Sequence, residues 1–491
     1  MRFPATYLLA TISLLSAALP ARGQSATALL DTAIARMGGE SAARGVKRAR
    51  FEMMTQWQRT SFDTGPYADQ PVYESHSDLR DYELGAWRNT RRFNNGRTTM
   101  EIVDVVRDGV AIRRSPGGPG GVASPSVAAP GAWVPLNIAY VDEWREQRAT
   151  APERLLMAAR EAHDLHALSD TIVGGAPHAR VSATVDGFRT TLLLRRSTGF
   201  LRAVRFRTAE PNDFGLVPWG NMDVEIWYGG WRKQPDGLVY PFQWDVRRVG
   251  APYKRMTVLA ATFNQPAMPD SFVVSDSLRA AYLDSSTLPM HEVPLDSARI
   301  VETRFASFNT PGAPVGAVKL GDRWMLLETG QAPSSAERAM KWLTKMDANA
   351  RMAGALVTMP ATGNGGVPWL AMHDVRVHAA PGAKPYMDAV LRGHGAPSTN
   401  VTRVSRGTWL RVGGDSLWLE PMDLPDLPGA LVAYAPSLEW VYSAAAANPL
   451  QLDLILARAR EKGWRVSRFG SARGAMSPLP PAQQLSRGPT Q

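Results

Sequence analysis

The chain has 491 residues, 44% of them hydrophobic and 20% charged, with a formal net charge of +10 and no cysteine. That length exceeds one ordinary core, so two globular domains are expected, and the missing cysteines exclude thiolate metal sites, a thiol nucleophile, disulfides and a lipid-modified cysteine. The positive charge is scattered as pairs such as Arg91-Arg92, Arg113-Arg114, Arg195-Arg196 and Arg247-Arg248. Without an accompanying binding motif it reads as a solvated sheet face and not as a nucleic-acid surface, while weak attraction to anionic lipid headgroups stays open.

Residues 1–23 combine Arg2, the apolar run Tyr7 to Leu19 and small residues before Gln24, the layout of a secretory signal peptide. An uncleaved N-terminal anchor is the other reading. The expectation is an exported protein, periplasmic or extracellular. Its mature chain should have no transmembrane segment, since no later stretch approaches the roughly 18 apolar residues that a span needs.

"SATALLDTAIARMGG" places Leu29, Leu30, Ala33, Ile34 and Met37 at helical spacing and stops at Gly38-Gly39. From about Arg50 to Asn264 the period is two, with turn signals at Ser197-Thr198-Gly199 and Pro235-Asp236-Gly237, which predicts a large antiparallel sheet. One helix interrupts it, started by a capping box of Thr150 and Glu153 and continuing through "RLLMAAREAHDLHAL". Its His163 and His166 lack a third metal ligand and read as exposed helix histidines. Ser115 to Gly131 is a long loop.

A domain over residues 24–284 is followed by a linker at 285–297 and a second domain over 298–480, with a disordered tail at 481–491. In the second domain strands alternate with helices, the last helix having Asn448 as N-cap, Pro449 at its first position and Gly463 past its end. This order predicts an α/β layered unit.

"SFNTPGAPVGAVKLGDRWMLLETG", a capped helix, "ALVT", a glycine loop, "LPGALVAYAPSLEWVYSA" and "RVSRFGSARGAMSP" resemble, in order and spacing, the metallo-β-lactamase superfamily. The resemblance implies an αββα fold. In that family the equivalent strand ends in T-H-x-H-x-D-H-x-G-G, which holds two metal ions that turn water into hydroxide. Carried over by count from Thr358, its ligands fall on Met359, Ala361, Gly363 and Asn364; counted back from Gly365-Gly366, they fall on Pro360, Thr362 or Gly363. The third histidine falls on Asp426, the bridging aspartate on Ala445 and the closing histidine on Ala472 or Arg473. Only Asp426 could coordinate. The resemblance therefore implies a metal site whose ligands are gone, with no cofactor and no catalytic residue. The alternatives are an unrelated α/β domain with a plain loop, and a hydrolase working with displaced ligands or without metal.

The N-terminal helix, the sheet, "STGFLRAVR" and "DGLVYPFQW" resemble the half-barrel domain of periplasmic lipoprotein carriers, whose concave face cups acyl chains. The implied fold class is α+β: an antiparallel half-barrel sheet with short helices, then the αββα domain. The implied function is non-catalytic binding of a lipid or other apolar small molecule, or of an envelope protein. Trp57, Trp227 and Trp244 are the ligand candidates, with Trp87 and Trp231 beside them, although strand tryptophans are more often core. Two decoys are set aside. "GDSL" at Gly414 to Leu417 offers Ser416, but no histidine follows His394, and His373 and His378 have no identifiable nucleophile.

Overall fold

The computed structural model describes residues 24–58, 71–94, 99–114, 131–136, 139–210, 220–282, 299–308, 315–330, 333–359, 363–425, 427–472 and 474–485. The expected signal peptide, the 285–297 linker, nearly all of the 115–131 loop and positions Ala361, Asp426 and Arg473 lie outside them.

The first helix, Ala26–Arg36, is capped by Ser25, whose Oγ accepts from Ala28 N at 3.1 Å. It ends where Gly38 adopts φ 109°; a Cβ there would lie 2.5 Å from the Gly237 carbonyl oxygen, so glycine lets the helix end close on that turn. Period two then holds as expected. Thirteen strands of the described residues, from Arg48–Gln58 to Ala251–Phe263, form one antiparallel meander, and its first strand lies between Pro71–Asp81 and Ala251–Phe263. The helices Ala26–Arg36 and Pro152–Arg160 pack Leu29, Leu30, Leu155 and Leu156 onto the inner face, with Phe51, Tyr228, Tyr240 and Trp244. Helix Ala139–Thr150 covers the other end of the sheet, where Trp144 stacks on Trp87 with centroids 5.7 Å apart.

The interrupting helix differs from expectation. Thr150 ends one helix, its Oγ1 bonding back to Glu146 O, and Ala151 caps the next without a side-chain bond, so no capping box forms. That second helix stops at Arg160, because Asp164 is taken by Thr184 N and Oγ1 and draws the chain into strand His166–Val173. His163 and His166 do not share a helix.

The second half has two mixed sheets. One comprises seven strands from Arg299–Val301 to Val401–Arg403, parallel over its last four, and the other six strands from Thr408–Val412 to Gly474–Pro478. Alternation in strand Leu427–Ala435 separates the layers. Leu431, Ala433 and Ala435 enter the core shared with the first sheet, whereas Ala430, Val432 and Tyr434 lie under helix Pro449–Glu461. Helices Pro333–Met346, Val367–Met372 and Lys384–His394 cover the first sheet with Ala336, Ala339, Leu370 and Met387. The result is αββα, and the whole chain is α+β.

Three details complete the picture. "GDSL" is a hairpin: Gly413 and Gly414 turn at φ 54° and 85°, and Asp415 receives Arg304 and Ser437. The expected disorder of 481–491 does not hold for 481–485, because Leu479 is buried, Pro481–Gln483 forms a 3-10 turn and Leu485 pairs with Val466. Ala389 and Val390, on helix Lys384–His394, join the apolar core of the first half, and that helix lies against strand Gly220–Lys233.

Candidate functional site

Strand Pro71–Asp81 turns an unusual set of side chains inward. Glu74, His76, Asp78 and Arg80 alternate along it, opposite Thr55, Met53, Phe51 and Ala49, and all four are buried. Asp78, Asn89, Asp104 and Arg113 continue the same face as one row across four strands. Buried charge is costly unless paired, and here it is paired. Arg80 donates to Asp78 at 2.7 and 2.9 Å, Arg91 and Arg113 reach Asp104 at 3.3 and 2.6 Å, and Arg248 lies 3.6 Å from Glu146. His76 is held between Glu74 and Asn89, and burial lowers its pKa.

Between this row and helix Ala139–Thr150 lies a cavity of about 80 Å³ with an open mouth. Met53, Trp57, Tyr253 and Met256 make its apolar wall; Arg91, Arg248, Lys254 and Glu143 charge the rest. Lys254 differs from the other cations. Its Nζ sits 4.6 Å above the Trp57 ring, and among the described residues no carboxylate lies within ion-pair distance. Burial holds its pKa below the ordinary lysine value; Glu143 and Asp78 oppose that shift, while Arg248 and Arg91 add to it.

The candidate tryptophans separate. Trp57 lines the cavity. Trp244, 4% exposed, is packed edge-on against Tyr228 in the core. Trp227 pairs with Asp245 and Trp244 with Tyr228, so Trp227 occupies the opposite face, between Arg202 and Arg205. Neither Trp227 nor Trp244 lines the cavity, and the cavity is not the apolar cup that the resemblance implied.

In the second half the parallel strands end at three segments that meet on Glu328. Thr358 donates to Glu328 Oε1 from N at 2.9 Å and from Oγ1 at 2.5 Å, and Thr358 Oγ1 accepts from Ala444 N at 2.9 Å. Thr329 N donates to Gly363 O at 2.8 Å, and Gly366 N to Thr329 Oγ1 at 3.1 Å. Burial pushes the Glu328 pKa up to about 8, which keeps the carboxyl largely protonated at neutral pH. Glu328 Oε2, both amide atoms of Asn364 and Ser443 Oγ are buried without a hydrogen-bond partner among the described residues.

A catalytic metal needs at least three converging donors. Met359 instead joins the apolar cluster of Leu427, Val441 and Leu452; Gly363 and Ala445 carry no donor; Asn364 offers a neutral amide. No group of three or more His, Asp or Glu side chains converges among the described residues. The described residues at these positions do not fit a metal centre. His378 is buried, which with Arg376 takes its pKa down to about 4, and His373 is exposed and stacks on Trp369 at 4.0 Å.

Sequence reading missed Glu328, Glu143 and Lys254. The signal for the polar face was present in "YESHSDLRD", which carries Glu, His, Asp and Arg at every second position.

Fold and site together define a two-part α+β protein, a charged-core antiparallel sheet followed by an αββα unit. No family model matches the sequence, and no curated protein matches it. Among solved structures the chain is similar to an outer membrane lipoprotein-sorting protein domain from Vibrio parahaemolyticus, at 9% identity and TM-score 0.28, over 50% of this chain and 95% of that one. It is similar to a metallo-beta-lactamase from Pontibacter korlensis, at 12% identity and TM-score 0.28, over 37% of this chain and 91% of that one. It is also similar to the sec-alkylsulfatase Pisa1 from Pseudomonas sp., at 12% identity and TM-score 0.30, over 37% of this chain and 39% of that one. Likeness at these identities and TM-scores carries no argument; fold, ligand and activity have to come from the residues of this chain. No helix of the described residues is long and apolar enough to cross a membrane.

Proposed function

We propose that the protein is exported and non-catalytic, and that its N-terminal sheet holds an amphipathic small molecule of the cell envelope. The observation that carries this reading is the open-mouthed cavity beside Trp57, which sets methionine and aromatic side chains against charged ones. The N-terminal apolar run supports export. In the αββα unit, the donors at the strand ends support a structural role, since Glu328 is already engaged by Thr358 and no group of three or more His, Asp or Glu converges among the described residues.

A fluorescent fatty-acid probe should bind the full chain saturably and be displaced by unlabelled amphiphiles, and Trp57→Ala should weaken it. Saturable binding that is unchanged in Trp57→Ala would move the site elsewhere; no binding at all would end the reading. Chelator-sensitive ester or β-lactam turnover would favour the hydrolase alternative.

A further inference from the structure

Two opposite charges face the cavity without a counter-ion. Lys254 Nζ lies against the Trp57 ring, and Glu143, on the helix that roofs the cavity, has Gln147 Nε2 at 3.3 Å as its described hydrogen-bond donor. Among the described residues neither is in an ion pair, with the other or with a third group, although Glu143 is the carboxylate whose charge acts most strongly on Lys254. A third group is also unfilled. Trp57 Nε1 is a buried donor with no acceptor. Leaving a buried N–H unpaired costs about 1–3 kcal/mol, and Thr55 Oγ1 on the same face is likewise buried without a hydrogen-bond partner among the described residues. Lys254 and Glu143 are set apart by charge pairing: Arg80 is held by Asp78, Arg91 by Asp104 and Arg248 by Glu146.

We propose that the cavity recognises a zwitterionic lipid headgroup of the phosphoethanolamine kind, with the phosphate on Lys254 Nζ and Trp57 Nε1 and the ammonium on Glu143. This rests on the reading of the N-terminal sheet as a ligand-binding site. A purely anionic head would satisfy Lys254 and Trp57 but would meet Glu143 with like charge. A neutral head would leave both charges unpaired. The methionine and tyrosine wall, Met53, Met256 and Tyr253, then takes the first methylenes of the chain.

The test is a matched series with one dodecanoyl chain, kept below micellar concentration and titrated into the full-length protein with intrinsic tryptophan fluorescence as readout. Lysophosphatidylethanolamine carries both charges, lysophosphatidic acid the phosphate alone, and the monoacylglycerol neither. The zwitterion is expected to bind about tenfold tighter than either of the others, the effect of one charge-assisted hydrogen bond. Lys254→Met should bring the zwitterion down toward the monoacylglycerol, with Lys254→Arg retaining most of the affinity. Glu143→Gln should erase the advantage of the zwitterion over lysophosphatidic acid. Because Lys254 and Glu143 are half-buried and unpaired, both variants should melt near the wild type, and Lys254→Arg keeps the comparison open if Lys254→Met does not fold. If the monoacylglycerol binds as tightly as the zwitterion, the headgroup assignment fails while ligand binding stands. If lysophosphatidic acid binds tighter than the zwitterion, the role of Glu143 is overturned and the site takes anions. If free phosphoethanolamine without a chain competes fully, the ligand is a small zwitterion and the lipid assignment fails. If nothing in the series binds, the ligand-binding reading falls together with this one.

Discussion

Glu328 Oε2 occupies the space that a side chain at Gly363 would need: a Cβ built on Gly363 would lie 2.4 Å from that oxygen and 2.9 Å from Glu328 Cβ. Gly363 also has φ 77°. The position that the resemblance assigns to a ligating aspartate is thus filled from the neighbouring strand by a buried carboxyl. Gly363→Ala should cost about 2 kcal/mol or more, combining left-handed strain with the clash. Gly395, at φ 66° with nothing within 4 Å, is the control, and Gly395→Ala should cost about 1 kcal/mol. Equal losses in urea unfolding would show that Glu328 does not fill that space.

Stability should fall as pH rises through neutrality. Glu328 has a folded pKa of about 8 against 4.5 for the free side chain, so the folded state holds its proton more tightly. The contribution is fully present below pH 4.5 and is lost as pH rises toward 8, by about 1.4 kcal/mol per unit. His378 acts in the other direction. Its folded pKa of about 4 lies below 6.5, so its contribution is present above 6.5 and is lost as pH falls. His76, lowered by burial, has the same sign. The window above the histidines is therefore pH 6.5 to 8, where unfolding free energy should decline in the wild type relative to Glu328→Gln, which keeps every other group, the lowered Lys254 included. Parallel profiles of wild type and Glu328→Gln there would refute a protonated Glu328.

Elemental analysis of the purified protein should find well under one zinc, iron or manganese per chain. Met359→His with Ala361→His should not restore a metal site, because the bridging position, Ala445, has no carboxylate. Met359 is buried among Leu427, Val441 and Leu452, so the imidazole would displace a thioether from an apolar cluster and lower stability as well. Two tightly held ions per chain would overturn this account.

Much of the fold could be read from the sequence because it rests on local rules. The period of two from Arg50 to Asn264 gave the meander, Asn448 caps its helix as read, and the strand order of the second half gave its layers. The site was less legible, for two physical reasons. In "YESHSDLRD" a parity argument puts Tyr73 and Leu79 inside and the charges outside, yet Tyr73 is 60% exposed and Glu74, His76, Asp78 and Arg80 are buried. Pairing along the strand, Arg80 with Asp78 and His76 with Glu74, together with Asn89 from the next strand offsets the cost of that inversion. The faces of Trp227 and Trp244 depend on hairpin register, which a shift of one residue would exchange. Glu328, likewise, is buried by segments thirty or more residues away in sequence.

We place the domain boundary within 285–297, and cleavage there should leave the two halves associated. Ala389 and Val390 belong to the core of the first half while Met387 and Leu391, on the same helix, belong to the second. Helix Lys384–His394 is thus buried from two sides. Limited proteolysis should give two fragments that co-elute on size exclusion, and separation into two stable monomers would contradict the shared helix.

The three tryptophans should separate binding from stability. Trp244→Ala removes a core ring packed against Tyr228 and bonded from Nε1 to Pro241 O at 3.2 Å, and should cost about 3–5 kcal/mol with probe affinity unchanged in the molecules that fold. Trp227→Ala removes a half-buried ring from the other face and should cost about 0.5–1 kcal/mol, again without effect on the probe. Trp57→Ala removes the ring beneath Lys254 and the edge-on contact with Tyr253, and should lower stability by about 1 kcal/mol while weakening the probe about tenfold or more. Calorimetric melting and probe titration on the same three samples decide it. Probe affinity lost in Trp227→Ala and kept in Trp57→Ala would place the ligand on the opposite face of the sheet, beside Arg202 and Arg205.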